Sequence, residues 1–353
     1  MKPNYLKIAF IVVLGFISFN SYSSTKMSYT NIDVLRPAKV SFLADADNLL
    51  IVNNTVAQPS HLGHSTRLLN ENQRDVDIST DSLSMFLVSA LSEEIEKKDF
   101  FSTTGLVYES VKSGTYYDTA KYLRSYQVAS LCEQYEADVI LSLNKLKITD
   151  SLEEFYFTDG SYLLTLDAIY ESQWSIQYPG KSVVDTVLYT DTVHWENSSY
   201  SRRLLFQNFT KRSDALINGA LSVGRKFVDR FIPYWEEKDR YFFNSKNKLM
   251  EQGMYFVYTK KWNNAIKLWE EALLTNTKDK KLTVHASNNL AVAYEMTGEI
   301  DKALGYISAA VENYSNLSNP DNTILLQMVD YQNDLIRRKQ DAPLLEKQLG
   351  TAD

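Results

Sequence analysis

The chain has 353 residues, 44% of them hydrophobic and 23% charged, and a formal net charge of −7. That length accommodates two domains, each able to bury a core of its own, and the acidic balance argues against a nucleic-acid binder, which needs a basic stripe facing phosphate. Cys132 is the only cysteine, so an intrachain disulfide is excluded and packing must supply the stability.

At the N-terminus, Lys2 and Lys7 precede an apolar run from Ile8 to Phe19, and Ser21-Tyr22-Ser23 offers small residues. This is the pattern of an export signal over 1–23, cleaved after Ser23, which directs the chain to the periplasm or cell envelope. The run is short for a membrane span. No cysteine follows it, so lipoprotein-type acylation is not expected. Residues 24–37 are polar and read as a tether.

A sheet domain is expected over 38–236. Ala38 to Phe42 is read as its first strand, and Leu49-Leu50-Ile51-Val52 suits a strand covered on both faces. Thr55 to Ile78, with Pro59 and Gly63, reads as a long loop. Thr80 and Asp81 then cap a helix in which Leu83, Leu87, Leu91 and Ile95 recur at helical spacing. Thr104 to Tyr108 is expected to be a strand and Tyr122 to Tyr135 a helix that buries Cys132 as an inert thiol. Asp138 to Ile148 alternates as a strand, and Asp150, Glu153 and Glu154 read as an acidic turn after it. Ser161 to Tyr178 and Ser182 to Trp195, joined through Pro179-Gly180, predict an antiparallel hairpin. Asp214 to Ile232 forms a last helix, stopped by Pro233. The order implies an α+β or α/β domain with a mixed sheet.

Helical repeats are expected over 237–339, with a polar tail at 340–353. Ala265, Trp269 and Ala272 recur 38 residues later as Ala303, Ile307 and Ala310, preceded by Leu249, Gly253 and Phe256 and by Leu290, Ala291 and Tyr294. This pattern resembles the tetratricopeptide repeat, whose antiparallel helix pairs leave a concave face for a partner. Gln252, Thr277 and Ser315 depart from it, and the unit exceeds the usual length of about 34 residues. Asn319-Pro320 opens a further helix through Lys339. In this register Asn247, Met250, Met254, Tyr258, Asn288, Val292 and Glu295 line the concave face. Methionines there suit an apolar peptide and not a carboxylate clamp.

Leu35-Arg36-Pro37-Ala38 and Leu50-Ile51-Val52-Asn53-Asn54, followed by these helices, resemble an uncharacterised Bacteroidota-type envelope protein family. Its members, often lipoproteins, have no assigned activity, so the resemblance implies architecture alone. A Gly-rich phosphate loop, a Gly-x-Ser-x-Gly elbow and a His-Glu-x-x-His helix are all missing from the sequence. His61 and His64, near Asp75 and Asp77, fall short of a convincing metal set, and no cofactor is expected.

The expectation is a non-enzymatic protein-binding adaptor or scaffold with a protein or peptide partner. Two alternatives stand beside it. One is a periplasmic enzyme with a site near the 55–78 loop and His194, and the other is a self-assembling envelope component in which the hairpin region or the charge-asymmetric helices pair between copies.

Overall fold

The computed structural model describes residues 26–350 apart from 44, 113–115, 182, 184 and 277. The proposed export signal and Thr277 therefore lie outside the described residues. Two compact units emerge: residues 38–232, and residues 26–37 together with 233–350.

The stretch read as a tether is largely a strand. β1 (Met27–Arg36) pairs antiparallel along its whole length with β9 (Tyr234–Phe243), from Met27 opposite Phe243 to Arg36 opposite Tyr234. Thr30, Ile32, Val34 and Arg36 point inward and are buried, the period-two pattern of a half-covered strand. The N-terminal strand thus belongs with the helices at the far end of the sequence.

The first unit is a seven-stranded mixed sheet with helices on both faces. β2 (Asn48–Asn53) lies parallel to β5 (Thr103–Val107) on one side and to β6 (Val139–Tyr156) on the other. No strand forms over 38–42. The 55–78 segment is not all loop: it contributes β3 (His64–Arg67), parallel to β6, and the two-residue β4 (Arg74–Asp75). β6 also runs past the residues read as an acidic turn, so Asp150, Glu153 and Glu154 are strand residues. They pair with β7 (Tyr162–Gln177), which continues antiparallel into β8 (Asp185–Ser199) as the predicted hairpin.

Alternation along β2 explains the two layers. Leu49 and Ile51 join the core formed by α1 (Leu83–Lys97) and α4 (Arg212–Phe227), whereas Leu50 and Val52 pack with Val128 and Cys132 of α2 (Ser125–Tyr135). Burial pushes the Cys132 thiol up to about 11, with Asp138 adding to the shift, so it stays protonated. α1 and α4 cross closely because Gly224 has no side chain; a Cβ there would sit 2.4 Å from the Leu87 carbonyl oxygen. The short α3 (Arg202–Asn208) separates β8 from α4.

The second unit joins the β1–β9 ribbon to α5 (Lys248–Tyr258), α6 (Trp262–Thr275), α7 (Lys280–Met296), α8 (Ile300–Ser315) and α9 (Asn322–Leu349). Each helix packs on the next in sequence. Asn247, Asp279 and Asp321 cap α5, α7 and α9 with side-chain oxygens. Ala265, Trp269, Ala272, Ala303, Ile307 and Ala310 are all fully buried, as core positions of adjacent helix pairs must be. α9 continues to Leu349, so residues 340–349 are helical where a polar tail was expected.

Candidate functional site

The residues expected to line a concave face do not form an open one. α7 lies at the centre of the unit, and β9 runs against it. Asn288 Nδ2 donates to the Tyr241 carbonyl (2.9 Å). Asn289 accepts from the Phe243 N–H (2.7 Å) and donates to the Phe243 carbonyl (3.0 Å). Two side-chain amides thereby satisfy strand backbone that has no neighbour on that side. Met250, Met254, Asn288, Val292 and Glu295 are all buried, the methionines in the same core as Phe242 and Phe243. Asn247 is occupied as the α5 cap, and of the seven predicted residues Tyr258 alone is markedly exposed, at 51%. The chain's own β9 runs against α7 where an open face was expected.

Glu295 instead anchors a buried charge network. Arg240 on β9 grips it with two hydrogen bonds (Nε–Oε2 2.7 Å, Nη2–Oε1 2.9 Å), and Arg338 on α9 adds a third at 3.0 Å. Arg240 also pairs with Asp334 and lies 4.4 Å from the Tyr331 ring centroid. On β1, the buried Arg36 binds Glu236 (2.7 Å), Asp341 (3.1 Å) and Asp334. Burial pushes the Asp334 carboxyl upward, but Arg240 and Arg36 outweigh it and hold the group below its ordinary value. Such forked arginine–carboxylate pairs fix orientation as well as charge, and here they lock the ribbon to α7 and α9.

Beside this lock lies an open cleft of about 640 Å³. Leu35 of β1, Trp235 of β9, Ile300 of α8, and Ala342 and Leu345 of α9 supply apolar walls. Gly298, at φ +83°, turns the chain between α7 and α8 at its edge. Four of the charges that line the cleft pair with one another: Lys339 with Asp301 (2.7 Å) and Lys302 with Glu299 (2.5 Å). Trp235 is 60% exposed. A largely exposed amphipathic ring beside apolar walls and paired charges is suited to receive an apolar side chain of a peptide. Sequence reading missed the cleft because it depends on β1 meeting β9 across about two hundred positions.

The histidine set of the enzymatic alternative does not converge. His64 is buried, with Nδ1 on Asp150, whose other oxygen accepts from Arg212 Nε at 2.6 Å. His194 is exposed and bonded through Nδ1 to Asp167 (2.7 Å) and through Nε2 to Glu196 (3.3 Å). In register, His64 aligns with Asp150, Ala168 and Val193, whereas His194 aligns with Asp167 and Ser151. Neighbouring strand residues face opposite ways, so the two imidazoles occupy opposite faces of the sheet. His61 is exposed in the preceding turn. Among the described residues no group of three or more His, Cys, Asp or Glu side chains is placed to hold a metal ion.

Residues 46–243, more than half of the chain, match the family described as "Domain of unknown function (DUF8603)". The chain belongs to this family. The DUF8603 match spans β2 through β9 and therefore includes the strand that closes the α7 face. Residues 251–337 match a second family, "Domain of unknown function (DUF6340)", which covers the helices from α5 into α9. No curated protein matches the chain.

Proposed function

We propose that this protein is an exported cell-envelope adaptor or scaffold, without catalysis, that docks a protein segment on its second unit. The observation that carries the reading is the open cleft around Trp235, with apolar walls and two ion pairs at its rim. The helix pairs α5–α6 and α7–α8 are read as two tetratricopeptide-like units. The seating of Gly253 against Trp269 and the buried Ala265, Ala303 and Ala310 support that reading. Repeat arrays of this kind usually need three or more units for stability, and here α9 and the ribbon take the place of the missing neighbours. The docking surface is thereby moved from the concave face to the cleft that the ribbon creates.

The test is site-specific photocrosslinking in envelope fractions, with the reactive residue at position 235 and a control at Tyr126, which is 66% exposed on α2. A discrete adduct formed from position 235 and absent from position 126 is expected, and Leu345→Asp should diminish it without changing the fold. Equal labelling from both positions would overturn the assignment.

A further inference from the structure

A second surface stands out in the first unit. The sheet has three terminal strands, and two are blunted in recognised ways: β4 is two charged residues long and β5 has five residues, one of them Gly105. β8 is different. It has 15 residues, extends roughly 50 Å, and among the described residues pairs only with β7. It contains no Lys, Arg, Pro or Gly, and its register with β7 runs without a bulge. Lysine, proline and bulges are among the devices that keep a long edge from pairing with another chain, and β8 has none of the three.

We infer that β8 pairs antiparallel with β8 of a second copy of this chain, about a two-fold axis at Thr190, to give one sheet continuous across the two molecules. Charge argues for a second copy over a basic partner strand. From Thr186 to Val193 the strand holds one acid, Asp191, and it is already paired with Lys226 (3.2 Å). This stretch therefore presents little uncompensated charge to a basic strand, and Asp185 and Glu196 lie outside it. A two-fold axis perpendicular to the sheet passes through a residue, so that even-numbered residues lie opposite even-numbered ones and odd opposite odd. At Thr190, Leu188, 77% exposed, lies opposite Thr192, Val187 lies opposite Val193, and the acids Asp191 and Asp185 meet the aromatic residues Tyr189 and Trp195 and neither another acid nor an aliphatic side chain. An axis at Asp191 opposes two carboxylates, one at Leu188 sets Asp185 against Asp191, one at Tyr189 sets Asp191 against Val187, and one at Thr192 sets Leu188 against Glu196. Apolar and threonine pairs stabilise an antiparallel ladder, and opposed like charges weaken it.

The experiment is disulfide trapping in the full-length protein. Opposed residues of an antiparallel pair have Cα atoms about 4.5–5.5 Å apart, within disulfide reach. Under mild oxidation Thr190→Cys should yield a covalent dimer, whereas Ser198→Cys, exposed on the same strand but far from the axis, should give at least tenfold less. The native Cys132 is buried and adds no background. Adding Leu188→Lys and Thr192→Lys to the Thr190→Cys protein opposes lysines across the axis. Circular dichroism should be unchanged and the dimer lost. Equal yields from positions 190 and 198, indifference to the lysines, or trapping of a different envelope protein in place of the homodimer would each overturn the inference. None of these results depends on the cleft around Trp235, so the two proposals fail separately.

Discussion

Gly253→Ala separates tertiary packing from helix propensity because the two predict opposite signs. Gly253 lies within α5, and an alanine Cβ there would stand 2.1 Å from Trp269 Nε1, 2.5 Å from Cε2 and 2.7 Å from Cδ1. The indole cannot retreat: it is fully buried, packs against Phe242 at 5.9 Å between centroids, and donates to the Met250 carbonyl at 3.3 Å. Overpacking of this kind costs about 2–3 kcal/mol, and losing the indole hydrogen bond costs about 1 kcal/mol. Alanine returns about 1 kcal/mol of helix propensity. The net expectation is destabilisation of about 2–3 kcal/mol. Gly305→Ala in α8 is the matched control, since nothing lies within 4 Å of its Cβ position, and it should stabilise by up to about 1 kcal/mol. Urea titrations read by hydrogen exchange in α5, α6 and α8 measure both. Adding Trp269→Leu to Gly253→Ala should cost less than the sum of the single changes. If Gly253→Ala stabilises α5 as Gly305→Ala does α8, the close seating of the two helices is refuted.

Two further perturbations probe how the ribbon is held. Arg240→Met strips Glu295 of its forked partner and leaves Asp334 short of one cation, which should cost about 3–5 kcal/mol in thermal unfolding of the second unit. Arg240→Lys should lose less, and a Met variant as stable as the native chain would mean the network adds nothing. His285 stacks on Phe243 with ring centroids 4.3 Å apart and the ring planes nearly parallel. Burial, with a smaller contribution from Lys281, lowers its pKa to about 4. A histidine depressed in the folded state binds protons first when unfolded, so its contribution is complete above about pH 6.5 and is lost as the pH falls toward 4. Between pH 7 and 4.5 the native chain should lose about 2–3 kcal/mol more than His285→Phe, which keeps the stack without a titrating group. Parallel pH profiles for the two chains would exclude that role.

What could be read from the sequence was what local periodicity encodes. Leu83, Leu87, Leu91 and Ile95 announce α1, Pro179-Gly180 marks the hairpin, and the recurrence of Ala265-Trp269-Ala272 as Ala303-Ile307-Ala310 locates two of the paired helices. In each case the spacing that buries one face is the spacing that defines the element. The run Glu236-Glu237-Lys238-Asp239-Arg240 carries charge on both faces, so no alternation of hydropathy marks β9 as a strand. Its inward charges are compensated by Glu295, Asp334 and Arg36, groups far away in sequence. β1 was hidden for the related reason that its partner lies two hundred residues downstream. The helix register alone defined a face of α5 and α7 lined by Met250, Met254, Asn288, Val292 and Glu295. Only the tertiary structure decided that β9 fills that face, because a groove's occupant is set by contacts between distant segments and not by the spacing within the helices that form it.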